Sequence, residues 1–137
     1  MLNIVLDANI LVSAFLTPAG ESAHVLRQAQ SQKLYLSPFI LSEVWQTLHY
    51  DRIRTKYQYS ESDIDQYLTE LGDSGTLLEP LIVLDACSDP KDNAVLACAA
   101  AAKAAHLVTR NIKHFPKEYQ GVKVIHPREF LETQRPQ

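Results

Sequence analysis

A short apolar run, Asn3-Ile4-Val5-Leu6, stops abruptly at the charge of Asp7. A continuous apolar run of this kind reads as a strand covered on both faces, and such strands belong to parallel sheets sandwiched between helices. The rest of the chain repeats the theme. Strand-like segments at residues 3–7, 33–37, 77–84, 106–109 and 122–126 alternate with helical ones. The pattern predicts an α/β fold, a three-layer α/β/α sandwich around a central, mainly parallel sheet of four to five strands. In open sheets of this class ligands bind just beyond the carboxyl ends of the strands. Asp7 stands at such a point, and a charge there calls for a reason.

The helical segments carry their own signals. Residues 10–30 read as helix in two pieces, because Thr17-Pro18-Ala19-Gly20 is a strong turn signal. Ser37 can cap the next helix, Pro38 suits its first position, and Leu41, Val44, Trp45 and Leu48 predict its buried face. Ser60 and Asp63 predict a capping box opening a further helix through Ile64, Tyr67, Leu68 and Leu71 to Gly72. Two helices in succession predict an arm beside the sheet, with Tyr67, Leu68 and Leu71 offering apolar surface to a partner. The last long helix opens at Asp89-Pro90 and is apolar around most of its girth. A single domain over residues 1–132 with a polar tail at 133–137 is expected of a chain of 137 residues.

Composition excludes several classes. A hydrophobic fraction of 46% with 21% charged residues is that of a globular protein. The longest apolar run, residues 94–102, is too short to cross a bilayer, and no secretory signal is visible, so no membrane association and a cytoplasmic location are expected. Cys87 and Cys98 form no close-spaced motif and read as buried free thiols; the scattered histidines argue against zinc. A net charge of −3 predicts that any nucleic-acid contact is local rather than a bulk attraction.

Three separated acids carry the chemistry: Asp7, Glu43 in Ser42-Glu43-Val44-Trp45, and Asp92 in Asp89-Pro90-Lys91-Asp92-Asn93. A few carboxylates suit a hard divalent cation, which keeps room for phosphate oxygens and an attacking water. Each acid also has a plain structural reading. Asp7 can cap the following helix, Glu43 alone reads as a solvated helix position, and Asp89 and Asp92 can serve as N-cap and first-turn acid. What favours a site is that the last long helix begins with acids and then turns apolar, aiming its N-terminus at the sheet end where Asp7 emerges.

Two basic clusters mark where a nucleic acid would lie. Arg52, Arg54, Lys56, Tyr57 and Tyr59 lie at the outer end of the helix that Ser37 opens, where a solvated helix end is the preferred reading. Arg110, Lys113, His114 and Lys117 adjoin the proposed acids, so Arg110, Lys113 and His114 read as substrate-binding. Thr109 and Asn111 keep two readings open: a β-favouring residue and a turn former, or groups that orient Asp7, a water or a metal.

These motifs together resemble the PIN-domain nucleases, most closely the VapC-type toxin ribonucleases of toxin–antitoxin systems. Val5-Leu6-Asp7-Ala8-Asn9 is similar to the family's opening motif, Ser37 through Val44 to its second, Asp89-Pro90-Lys91-Asp92 with Leu96-Ala97-Cys98-Ala99 to its third, and Leu107-Val108-Thr109-Arg110-Asn111 with Phe115 to its fourth. The resemblance implies a Mg²⁺- or Mn²⁺-dependent endoribonuclease acting on single-stranded RNA. Asp7, Glu43 and Asp92 would be its catalytic and metal-binding acids, and Asp89, Asn9, Thr109 and Asn111 auxiliary groups. It also implies a homodimer and an antitoxin partner lying across the active-site groove. The fourth motif departs from the fullest pattern, with Asn111 and His114 where relatives often carry an acid, which weakens a second metal site.

Other functions were weighed on the same residues. A dehalogenase-type phosphatase also begins with an acid after its first strand but needs a second acid two residues on, and Asn9 cannot donate a proton in that way. A phospho-receiver lacks its acidic pair here. The remaining alternative is a non-catalytic module of the same fold that binds RNA or a protein partner.

Overall fold

The computed structural model describes residues 1–135. Its first strand, β1 (Asn3–Leu6), is fully covered, with Ile4, Val5 and Leu6 all at 0% exposure, as a central parallel strand must be. It pairs in parallel with β2 (Lys33–Leu36) on one side and β4 (His106–Val108) on the other. A short β3 (Thr76–Leu77) edges the sheet beside β2, and β6 (Val122–Ile125) extends it beyond β4. The order is β3-β2-β1-β4-β6-β5, where β5 (Glu118–Tyr119) is antiparallel. The mainly parallel, helix-flanked sheet is the α/β architecture expected, with six strands instead of four to five because of this terminal hairpin. Its two-residue turn uses Gln120 and Gly121, both at positive φ (49° and 85°), the geometry that tight hairpins demand.

Helices α1 (Ala8–Leu16) and α2 (Glu21–Ser31) fill the first crossover, split at the predicted turn, where Thr17 bonds back to Ser13 through both its amide and its hydroxyl. Helix α3 (Pro38–Leu48) starts as expected, the Ser37 hydroxyl accepting from the Ile40 amide at 3.2 Å. Its buried row is Ile40, Val44 and Leu48, spaced by four. Trp45, expected inside, lies 100° further round and is 47% exposed, stacked on His49 with ring centroids 4.0 Å apart; Leu41 is half-buried.

The basic segment expected to continue α3 is a separate helix, α4 (Asp51–Tyr57), after a break at His49 and Tyr50. Helix α5 (Glu61–Ser74) opens with the predicted capping box, Ser60 and Asp63 each accepting from the other's amide. It runs past Gly72, around which space is open, and stops at Gly75. A Cβ at Gly75 would stand 2.8 Å from Leu36 Cδ1, so glycine lets the chain turn tightly from α5 into the sheet. Ile64 and Leu71 are buried, so Leu71 belongs to the core rather than to a partner-facing surface.

The strand expected at 77–84 is the largest departure. Leu78 still donates to Leu36 O at 2.7 Å, but Pro80 has no amide hydrogen to continue the ladder, and Leu81 and Val83 stand 97% and 95% exposed. Helix α6 (Pro90–Ala101) then crosses β1, β2 and β4. The tail expected from 133 begins inside a helix, α7 (Pro127–Thr133), whose Phe130 is wholly buried; residues 136 and 137 lie outside the described residues. No helix of the described residues is long and apolar enough to cross a membrane.

Phe130 ties this unforeseen helix to the core. Phe130→Ala should cost about 3–5 kcal/mol of unfolding free energy, by the usual loss for a buried aromatic. Urea denaturation followed by circular dichroism checks it, and a loss below about 1 kcal/mol would mean that α7 is not part of the cooperative core.

Candidate active site

Parallel pairing sets the first element of the site. Leu6 is registered with Val108, and the Asp7 amide donates to Val108 O at 3.0 Å, so the residues following β1 and β4 emerge side by side at the sheet's carboxyl end. These are Asp7 and Thr109, 7% and 0% exposed. The Thr109 hydroxyl donates to Asp7 Oδ2 at 2.8 Å and accepts the Asn111 amide at 3.0 Å. A hydroxyl has one hydrogen, so the incoming amide leaves that hydrogen directed at the carboxylate. Asp7 occupies the N-cap position of α1, yet its side chain makes no cap bond to the helix's second or third amide. The carboxylate faces Thr109 instead. Burial raises its pKa above the ordinary 3.8, opposed by the Thr109 hydroxyl, the Ala8 amide and the charge of His114.

The second element is the first turn of α6. Asp89 is its N-cap, with Oδ1 accepting the Lys91 amide at 2.9 Å, so this exposed acid is engaged in helix capping. Asp92, one turn in, is 17% exposed at its side chain, with Oδ2 3.6 Å from His114 Nδ1. Burial raises its pKa first, then the like charges of Asp89 and Asp7, while His114 lowers it. The charge of Asp7 thus reaches Asp92, and His114 (in a 3₁₀ turn, Ile112–His114) acts on both.

Glu43 reaches the same helix end from α3, its Oε1 lying 3.8 Å from Lys91 Nζ. Among the described residues no group of three or more His, Cys, Asp or Glu is gathered closely enough to hold an ion. The expected convergence of Asp7, Glu43 and Asp92 on one point is thus not met in this arrangement: Asp7 is held by Thr109, Asp92 lies beside His114, and Glu43 beside Lys91.

The remaining expected residues divide. Asn111 precedes the 3₁₀ turn, half-buried, with its side chain making no cap bond. Asn9 is exposed on the first turn of α1, and Lys113 and His114 are exposed beside the acids. Arg110 turns toward α2 instead, donating to Ser22 Oγ at 2.6 Å and Glu21 Oε1 at 3.1 Å. In the other basic cluster the Tyr59 hydroxyl donates to Leu48 O at 2.6 Å, Arg54 lies 3.6 Å from Glu61, and Lys56 sits over the Tyr57 ring. Both cysteines are free and buried; burial pushes the Cys98 thiol up to about 11 and raises that of Cys87, so neither is a thiolate at neutral pH.

One residue escaped the sequence reading. Asn93 is 7% exposed and uses its whole amide on the preceding loop: Oδ1 accepts from Ala86 and Cys87 amides at 3.0 and 2.7 Å, and Nδ2 donates to Cys87 O at 3.0 Å. It ties the irregular segment after β3 to the turn that carries Asp92. Its only signal in the sequence was a polar amide at the head of an otherwise apolar helix.

Residues 3–113 match the model of the PIN domain. The chain is 29% identical over 105 residues to the uncharacterized protein MJ1680 of Methanocaldococcus jannaschii, covering 75% of this chain and 67% of that one. Its fold is similar to the crystal structure of VapBC2 from Rickettsia felis bound to a DNA fragment from its promoter, with a TM-score of 0.60 at 17% identity, covering 90% of this chain and 98% of that chain. The chain belongs to the PIN-domain family, a family of nucleases.

The direction of the Asp7 shift carries a stability consequence. A carboxylate whose folded pKa is raised contributes stability below its unfolded value, near 3.8, and that contribution is lost as pH rises through the folded value. In chelator-treated buffer, Asp7→Asn should therefore melt higher than the wild type at pH 7, since the amide oxygen can still accept from Thr109. The difference should shrink as pH falls toward 4. A variant that melts lower at neutral pH would show that the charge of Asp7 stabilises the fold.

Proposed function

We propose that the chain is a metal-dependent endoribonuclease that hydrolyses phosphodiesters in single-stranded RNA, acting as the toxin of a toxin–antitoxin pair. The observation that carries the reading is a buried Asp7 held by Thr109 at the carboxyl end of the sheet, with Asp92 of α6 lying 3.6 Å from His114. Asp7 and Asp92 would hold Mg²⁺ or Mn²⁺, with Glu43 joining them on leaving Lys91, and carboxylate oxygens fit such a hard cation. When bound, the cation would activate water and offset charge on the phosphate under attack.

The chain's own groups supply the rest. Thr109 fixes the orientation of Asp7, and Asp89 holds the first turn of α6 as its cap. Asn9 and Asn111 offer neutral amide oxygens at the rim, while Lys113 and His114 present exposed donors to the RNA backbone. Arg110 supports the substrate side indirectly by anchoring α2 through Glu21 and Ser22. The fold-level likeness to VapBC2 supports an antitoxin partner, and a homodimer is the expected state.

Purified protein with Mg²⁺ should cleave unstructured RNA, and Asp7→Asn should reduce cleavage by roughly a thousandfold or more, as loss of a core catalytic carboxylate does. Mg²⁺ should raise the melting temperature of the wild type more than that of the variant. Equal thermal shifts would remove Asp7 from the ligand set. Absence of cleavage by the wild type, with RNA still bound, would favour the non-catalytic module.

Asn111 and His114 bear on how many cations are held. Neutral ligands bring no negative charge, and Mg²⁺ gives up its waters reluctantly, so one ion should bind firmly and a second only weakly. Mn²⁺, more tolerant of nitrogen donors, should support activity better than Mg²⁺. Asn111→Asp should tighten metal binding and lower the Mg²⁺ concentration needed for cleavage. Titration calorimetry showing unchanged stoichiometry and affinity would put Asn111 outside the metal site.

A further inference from the structure

A second concave site lies at the opposite end of α1 from Asp7. It is a cleft of about 440 Å³ between the end of α1 and helices α4 and α5, lined by Phe15, Tyr57, Tyr59 and Tyr67, with Asp63 and Glu70 on its rim. Helix α1 separates it from the acids by roughly 13 Å, at 1.5 Å per residue, so it is not part of the candidate active site.

The aromatic side chains are arranged for their rings rather than their hydroxyls. Tyr59 donates to Leu48 O at 2.6 Å and Tyr67 to Leu11 O at 2.5 Å, so both phenols are committed to backbone carbonyls. Phe15 packs between them, with centroids 5.0 Å from Tyr59 and 4.9 Å from Tyr67. The aromatic surface that remains is a π surface, and both charged residues lining the cleft are acidic. Rings flanked by carboxylates suit a cation with a flat, weakly hydrated face, which is the guanidinium of arginine. Lys56 Nζ lies over the Tyr57 ring, 5.3 Å from its centroid, a cation already drawn to one of these rings.

We propose that this cleft docks a polypeptide partner by taking in an arginine side chain, stacked on the rings and paired with Glu70 and Asp63. Inside the cleft the charged lining is acidic, which opposes a phosphate there, while Lys56 and Arg54 stand outside it beside Tyr57 and Glu61. A simple apolar anchor would leave the two acids unpaired at the edge of the contact.

The test is a titration of the intact protein with N-acetyl-arginine methylamide, followed by NMR at the Gln66 side-chain amide and the Tyr59 and Tyr67 rings. The arginine probe should give saturable shifts there, and the neutral N-acetyl-citrulline methylamide should bind roughly tenfold more weakly. Added NaCl and Glu70→Gln should each weaken the arginine probe. Among the described residues the hydrogen-bond partner of Glu70 is Gln66, both exposed, so the substitution leaves the fold intact, and an unchanged melt verifies it. Equal binding of the citrulline probe, or no saturable shift with arginine, overturns the proposal. So does oligouridylate shifting the same signals in preference to arginine. RNA cleavage by Glu70→Gln should match the wild type, so this result and the nuclease assignment succeed or fail separately.

Discussion

The candidate site depends on one hydrogen bond between neighbouring parallel strands, from the Thr109 hydroxyl to Asp7 Oδ2. Parallel register alone brings the residues after β1 and β4 together. Thr109 turns that proximity into a fixed carboxylate, and the Asn111 amide fixes Thr109 in turn. The carboxylate is nevertheless more expensive to ionise than one in water, because burial outweighs its hydrogen bonds and the charge of His114. A fold selected for stability alone would have no use for such a group at a strand end. A buried acid whose ionisation is opposed on balance, lying in the region where open sheets bind ligands, is what supports the proposed site.

The first turn of α6 divides labour among neighbouring residues by orientation. Asp89 caps the helix, and its carboxylate is thereby directed at the Lys91 amide rather than toward Asp7. Asp92, three residues on, projects inward, where Asp7 and His114 both affect its charge. Asn93 faces the preceding loop and secures it. Of the two acids that the sequence left open, Asp89 is engaged at the helix cap and Asp92 lies beside His114.

Where local chemistry decides structure, the sequence was legible. Ser37-Pro38, the Ser60 capping box, the turn at residues 17–20 and the covered strand before Asp7 all formed as their residue types require. Where tertiary partners decide, it was not. Residues 77–84 have strand composition, but beyond Leu78 they have no ladder to join, and Pro80 removes a donor. Trp45 fell outside because the buried row needed only Ile40, Val44 and Leu48. Arg110 follows Thr109 in sequence, and its partners in the fold, Ser22 and Glu21, lie almost ninety residues earlier, a pairing that adjacency does not reveal. Asn93 bonds to a loop only six residues away, but the loop's path could not be inferred before the strand was known to end.

Helix α1 links the two places where this chain departs from a purely structural economy of charge. Its N-terminus holds Asp7, and its far end supplies Phe15 to an aromatic cleft rimmed by acids. Between them Leu11 contributes the carbonyl that receives the Tyr67 hydroxyl, so α5 is tethered to α1 midway along its length. A net charge of −3 gives the chain no bulk attraction for RNA. In the proposed reading RNA lies on the side bearing Lys113 and His114, and the cleft with Asp63 and Glu70 takes the basic partner. On that reading the two ligands would be received at opposite ends of one helix, without competing for the same charges.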